Sequence, residues 1–209
     1  MLGQLGSLSA RRGFQTASAL RRAYPYKLAY DTAAAPPSEE LGVKSTALKF
    51  ANPVGNKPFD DRATIGWLTD GKHPAKPCAQ IDVRHFVANG VFWKEEVAKA
   101  YKQHAHEDPE LQAQAAFQKT GWMTIADGRN PPPLGRIGDP EDILGAVCLD
   151  EQAAIVPESF EVNDMHRAAT PAHGLFQLSE YMQTKLLERL SLPSEPKKPG
   201  DCGDPENGD

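Results

Sequence analysis

The chain contains no long apolar run. Its longest uninterrupted apolar stretches are a few residues, as in "AAIV", against the roughly eighteen needed to cross a bilayer, so no transmembrane segment is expected. Cysteine is scarce: Cys78, Cys148 and Cys202 are too few and too far apart for a disulfide framework, which fits a reducing compartment. No C-x-x-C or H-E-x-x-H spacing accompanies them, so neither a metal nor a cofactor is expected, even where His73 and His85 flank Cys78. Internal repeats are absent as well. Most telling is the lack of acid at the start, where no Asp or Glu precedes Asp31.

That acid-free segment carries Arg11, Arg12, Arg21, Arg22 and Lys27 among Leu2, Leu5, Leu8, Phe14 and Leu20, with Ser7, Ser9, Thr16 and Ser18 between them. A basic, amphipathic, serine-containing helix of this kind is drawn towards a compartment that is electrically negative inside. Residues 1 to 30 therefore read as a mitochondrial transit peptide, cleaved between Phe14 and about Thr32. A secretory signal would need an apolar core after the charges, and none follows. The whole chain has 23 Lys and Arg against 28 Asp and Glu, a net −5; without the five basic residues of the leader the balance is 18 against 28, a net −10. An acidic body of this kind is a poor ligand for a phosphate backbone, so DNA binding is not expected and RNA contact is disfavoured.

The 18 prolines and 17 glycines imply many turns and much irregular backbone. Residues 31 to 62, with Pro36, Pro37, Pro53 and Pro58 and no sustained period, read as a Pro-rich linker or arm. Residues 193 to 209 combine Pro, Gly and acid without an aliphatic side chain, and read as a disordered acidic tail. Between them, residues 63 to 192 read as one globular domain, whose 40% hydrophobic content is enough for a packed interior.

Within that domain Phe92, Trp93, Val97, Ala100, Tyr101 and His104 fall at helical spacing, and Asp108 with Pro109 gives a cap and first-turn proline for a restart. Two helices follow, about 91 to 105 and 109 to 119, the second ended by Gly121. His104 and His106, two apart, point to different helix faces and read as a solvated helix end. "WMTIAD" is a short β-like run. Asp139 and Pro140 repeat the cap grammar before "ILGAVCL", which reads as a strand over 145 to 149 pairing through a turn at 150 to 152 with a strand over 153 to 156. Cys148 falls there as a small buried hydrophobe. From Thr170 and Pro171 a C-terminal amphipathic helix is expected to run to about Leu192, with Leu175, Leu178, Met182, Leu186 and Leu190 down one stripe and Phe176, Tyr181 and Leu187 widening it. The fold class is α+β: a small single domain with two central helices, a short β-hairpin and a C-terminal amphipathic helix, flanked by irregular Pro-rich arms.

"GRIGDPEDILGAV" resembles a late loop of the short-chain dehydrogenase/reductases, and "YMQTK" has that family's Tyr-x-x-x-Lys spacing. Here the Tyr and Lys follow the loop instead of preceding it, and the glycine-rich turn after a first strand is missing. No cofactor site is carried over, and Tyr181 and Lys185 read as one turn of helix with Tyr inward and Lys in solvent.

A polar cluster remains: Arg129, Asn130, Arg136, Asp139, Asn163, Asp164, His166, Arg167 and His173, in two loops flanking the hairpin. A histidine beside a carboxylate with an arginine near gives acid, base and anion-holding chemistry, which makes His166, Arg167, His173, Asp139 and Arg136 the candidate catalytic residues. The plainer alternative is that Arg136 and Arg167 pair with Asp139 and Asp164 to hold irregular loops. No nucleophile or phosphate-cradling loop accompanies the cluster. The expectation is a non-enzymatic mitochondrial matrix protein, an accessory, assembly or structural subunit of a larger respiratory or ribosomal complex with protein partners. The alternative is a small hydrolase or transferase using the His/Asp/Arg loops.

Overall fold

The computed structural model describes residues 28–31, 45–51, 59–69, 82–133 and 135–193. The expected leader up to residue 27, most of the Pro-rich segment, His73, Cys78 and the tail from residue 194 lie outside these. Among the described residues the architecture is α+β, with three α-helices and antiparallel sheets.

The first sheet has the order β1-β2-β3-β4, formed by β1 (Leu28–Asp31), β2 (Thr46–Phe50), β3 (Thr64–Leu68) and β4 (Phe86–Ala88), each antiparallel to its neighbour. This corrects the reading of residues 31 to 62 as an irregular arm, because Thr46–Phe50 within them is a strand buried along its whole length. A strand covered on both faces shows no alternation of apolar and polar residues, which is why "TALKF" and "TIGWL" give no period of two. The buried Lys49 ammonium reaches out to Asp61 at 2.9 Å.

The two central helices form, with a change of winding. A π-helical segment, Phe92–Val97, precedes α1 (Ala98–His104), and a 3₁₀ turn, Ala105–Glu107, leads to α2 (Pro109–Gln118). Asp108 caps α2 by accepting from Glu110 N at 2.9 Å, with Pro109 in the first turn as expected. Lys119, at φ 75°, ends α2, so the helix stops two residues before Gly121, itself at φ 87° and already in the next strand. Glu96, one helical turn on from Phe92 and Trp93, is buried on the same face as they and Val97 are. Its buried carboxylate is met by Arg189 Nε at 3.0 Å.

The expected hairpin is two strands of a three-stranded sheet, order β5-β6-β7: β5 (Gly121–Ala126), β6 (Ile143–Leu149) and β7 (Ile155–Val162). Its inner side chains, among them Met123, Ile125, Val147 and Phe160, are buried; Phe160 stacks on Tyr101 of α1 with ring centroids 4.7 Å apart. The free edge of β5 is covered by α2, where Gln114 and Gln118, one turn apart, donate to the carbonyls of Thr124 (3.0 Å) and Trp122 (2.7 Å). Cys148 is half-buried on the outer side rather than in the core.

Gly145 allows β7 to close on β6. A Cβ there would stand 2.3 Å from the Glu161 carbonyl oxygen and 2.7 Å from the Phe160 ring. Gly145→Ala is expected to lower stability by about 1–3 kcal/mol through forced displacement of β7, measured by urea unfolding. An unchanged midpoint would mean the strands separate freely at that point.

The C-terminal helix starts later than its apolar stripe implies. Thr170 and Pro171 do not cap it: they head the tight turn between β8 (Ala169–Thr170) and β9 (Gly174–Leu175), where Thr170 Oγ1 accepts from His173 N. α3 spans Glu180–Ser191, capped by Ser179, whose Oγ accepts from Met182 N at 3.2 Å and whose hydroxyl donates to Asp108. The caps of α2 and α3 are thereby joined. No helix among the described residues is long and apolar enough to cross a membrane.

Candidate functional site

The two polar loops meet, around residues the sequence reading had not put at the centre. Asp127 leaves the end of β5 and turns the chain: its Oδ1 accepts from Arg129 N (3.0 Å) and from Gln177 N (2.8 Å). Asp142 closes the 3₁₀ turn Pro140–Asp142, the single helical turn that Asp139 and Pro140 announce. The Arg129 guanidinium lies between these carboxylates. Its Nε donates to Asp142 Oδ1 at 2.8 Å and sits 3.3 Å from Asp127 Oδ2, its Nη1 donates to the Gly174 carbonyl (3.2 Å), and its Nη2 donates to the Glu141 carbonyl (2.9 Å). Asn130 donates to the second Asp142 oxygen at 2.8 Å.

His166 completes the set. Its Nε2 is 3.0 Å from Asp127 Oδ2, and since an ionised carboxylate only accepts, the imidazole donates there. The Trp93 ring packs against the imidazole in a T-shaped contact with centroids 4.6 Å apart. Asn163 holds the approach to His166, donating to the carbonyls of Pro140 (2.7 Å) and Ile143 (2.9 Å). The side chains of Asp127 and Arg129 are 0% exposed, Asp142 2% and His166 3%. Charge-assisted bonds among groups shut away from water are individually strong, and here they join β5, the 139–142 turn, the loop after β7 and the chain entering α3.

Of the candidate residues only His166 enters this network. Arg167 lies on the surface with its Nε 3.7 Å from Glu141, and Asp164 faces Lys94 at 3.5 Å, so neither makes the expected Arg–Asp pairing. Arg136, Asp139 and His173 are exposed; Arg136 donates its backbone N–H to the Pro133 carbonyl, and the Asp139 carbonyl accepts from Asp142 N. Asp127 and Asp142 were missed. The only sign of the first is an Asp directly before Gly128 at the end of a β-like run, a turn signal that says nothing of burial.

A second group of titratable side chains sits where α1, α2 and α3 meet. Glu107 accepts from the Tyr181 hydroxyl at 2.6 Å and from His104 Nδ1 at 3.0 Å. Tyr181 is half-buried, and Lys185 lies 5.6 Å over its ring while pairing with Glu188 at 3.1 Å. The bond to Glu107, ahead of burial, pushes the Tyr181 phenol from 10.0 up to about 12. The same hydroxyl, then His104, holds the Glu107 carboxyl below its usual range. The Glu107 contribution to stability is thus present at neutral pH and lost as acidification carries it through its lowered folded value. The Tyr181 contribution is present below pH 10 and lost as the pH rises towards 12. Alkaline titration at 295 nm is expected to show a tyrosine midpoint near 12 that Tyr181→Phe removes and Glu107→Gln moves back towards 10; a normal Tyr181 midpoint would break the assignment.

No protein-family model, no curated protein and no solved structure matches the chain.

Proposed function

We propose that the protein is a non-enzymatic accessory, assembly or structural subunit of a larger complex on the matrix side of mitochondria. One observation carries this reading. The histidine, the arginine and both carboxylates on which loop chemistry would depend are 0–3% exposed and bonded to one another and to backbone carbonyls. A catalytic base needs its proton acceptor within reach of a substrate, whereas a loop clamp needs its groups paired and dry. The mitochondrial part rests on the acid-free, arginine-containing start of the chain. Because β1 begins at Leu28, removal of the leader leaves that strand intact when the cut falls between Phe14 and Leu28.

The test is the native mass. Purified gently from mitochondria, the protein is expected to migrate within an assembly far larger than 22.8 kDa. A sharp monomer with no co-purifying chain would remove the proposal. The second reading, a hydrolase or transferase, draws on the 3.0 Å His166–Asp127 pair, a base with an orienting carboxylate. It requires His166→Ala to abolish function at unchanged thermal stability.

A further inference from the structure

The sheet β5-β6-β7 has its inner side covered by the helices and its outer side without a layer from the described residues. By the strand register, Trp122, Cys148 and Val156 form one cross-strand row on that outer side, and Thr124, Ala146 and Glu161 the next. Trp122 is 54% exposed and Val156 37%. Beside the second row a groove of about 310 Å³ runs past Pro140, Ile143 and Val162. A sheet face with this apolar content is ordinarily covered by a second layer.

The surrounding charge says what covers it. From residue 137 to residue 166 the chain has no Lys or Arg and eight acidic residues. Asp142 is neutralised within the clamp, Glu141 faces Arg167 and Asp164 faces Lys94. Glu151, Glu158 and Glu161 have no cation at ion-pair distance among the described residues, and all three are exposed. A second copy would bring these glutamates against their own like, and a nucleic acid would meet them with phosphate. A helix about 10 Å across covers two strands spaced about 4.8 Å apart. We propose, on the reading of the protein as a subunit, that the outer face of β5-β6-β7 docks an amphipathic helix of a partner protein, its apolar stripe on Trp122, Cys148 and Val156 and its Lys or Arg residues on Glu158 and Glu161.

The experiment places a photo-crosslinking amino acid at Trp122 or Val156 of the full chain in its native cells, with the exposed Lys102 of α1 as control. Adducts are mapped to peptides by mass spectrometry, and the native mass of the assembly is read alongside. The expected adduct is to another protein, within a segment that is net basic and apolar. The double variant Glu158→Lys, Glu161→Lys is expected to lower its yield about tenfold while leaving the melting temperature near that of the parent. Adducts to a second copy, to residues 1 to 30 of this chain or to an acidic segment overturn the proposal, as does a yield no higher than at Lys102. If the face yields nothing while the chain still migrates in a large assembly, the docking proposal alone falls. A monomeric chain without adducts removes both readings.

Discussion

Arg129→Ala is expected to lower the unfolding free energy by about 3–5 kcal/mol, the range for removing one partner from a buried ion pair. Among the described residues, the guanidinium is the only cation within 3.3 Å of both Asp127 and Asp142, whose side chains are 0% and 2% exposed. Without it two carboxylates remain buried together, the Gly174 carbonyl loses the Nη1 donor, and the Glu141 carbonyl keeps only the Arg167 N–H at 3.1 Å. For a domain of this size the loss corresponds to a fall in Tm of roughly 6 to 20 °C. Arg129→Lys is expected to fall between, since an ammonium restores the charge but not the planar fork that reaches four acceptors at once. Urea unfolding followed by tryptophan fluorescence measures both variants. A loss below about 1 kcal/mol for Arg129→Ala would mean that water reaches the clamp, and the argument against an accessible site at His166 would go with it. His166→Ala is expected to destabilise in parallel, by about 1–3 kcal/mol, because Asp127 Oδ2 then loses its 3.0 Å donor and keeps only the longer approach of Arg129 Nε at 3.3 Å.

What was legible in the sequence was what local physics writes locally. Asp108 with Pro109 and Asp139 with Pro140 mark the starts of α2 and of the 3₁₀ turn, because a first-turn proline acts within three residues; Asp108 also caps through its side chain, whereas Asp139 holds the cap position without a side-chain bond. The α2 and β6 segments were found for the same reason, through spacing and composition. β2 and β3 were not: buried on both faces, they carry no period, and prolines around β2 pointed to an arm. The clamp was half legible. Arg129, Asn130, Asn163 and His166 stood out as polar residues in loops, while Asp127 reads only as a turn residue and Asp142 as the end of the turn that Pro140 starts. Nothing within a few residues of Asp127 reveals that position 166 or 177 lies against it, since both contacts close over about forty residues or more. The thirty-residue absence of Lys and Arg was visible but gained meaning only when the register placed Glu161 beside Ala146 on an unlayered face.

Phe176 was the most instructive misplacement, and its removal should have the second large effect. Leu175, Phe176 and Leu178 fit a helical stripe with Met182 and Leu186, yet α3 begins only at Glu180, after Ser179 caps it. Phe176 is instead in extended chain, its N–H donating to the Ala168 carbonyl at 2.9 Å, and its ring is 0% exposed. It meets Trp93 at 4.6 Å, Phe50 of β2 at 6.1 Å and Phe92 at 6.4 Å between ring centroids. One side chain therefore joins the first sheet, the π segment and the chain entering α3, and Trp93 in turn packs against His166 of the clamp. Phe176→Ala is expected to lower stability by about 3–5 kcal/mol, the transfer loss plus the cavity it leaves. Phe176→Leu, nearer in volume, is expected to lose less. A helical Phe176 on a one-sided stripe would contact only one neighbouring layer. An aromatic at the junction of three elements makes a further prediction: its loss should couple to Phe50→Ala, the double variant being destabilised by less than the sum of the single ones, since the two rings share a contact. Simple additivity in that cycle would remove Phe176 from the centre of the core and return it to the helix stripe.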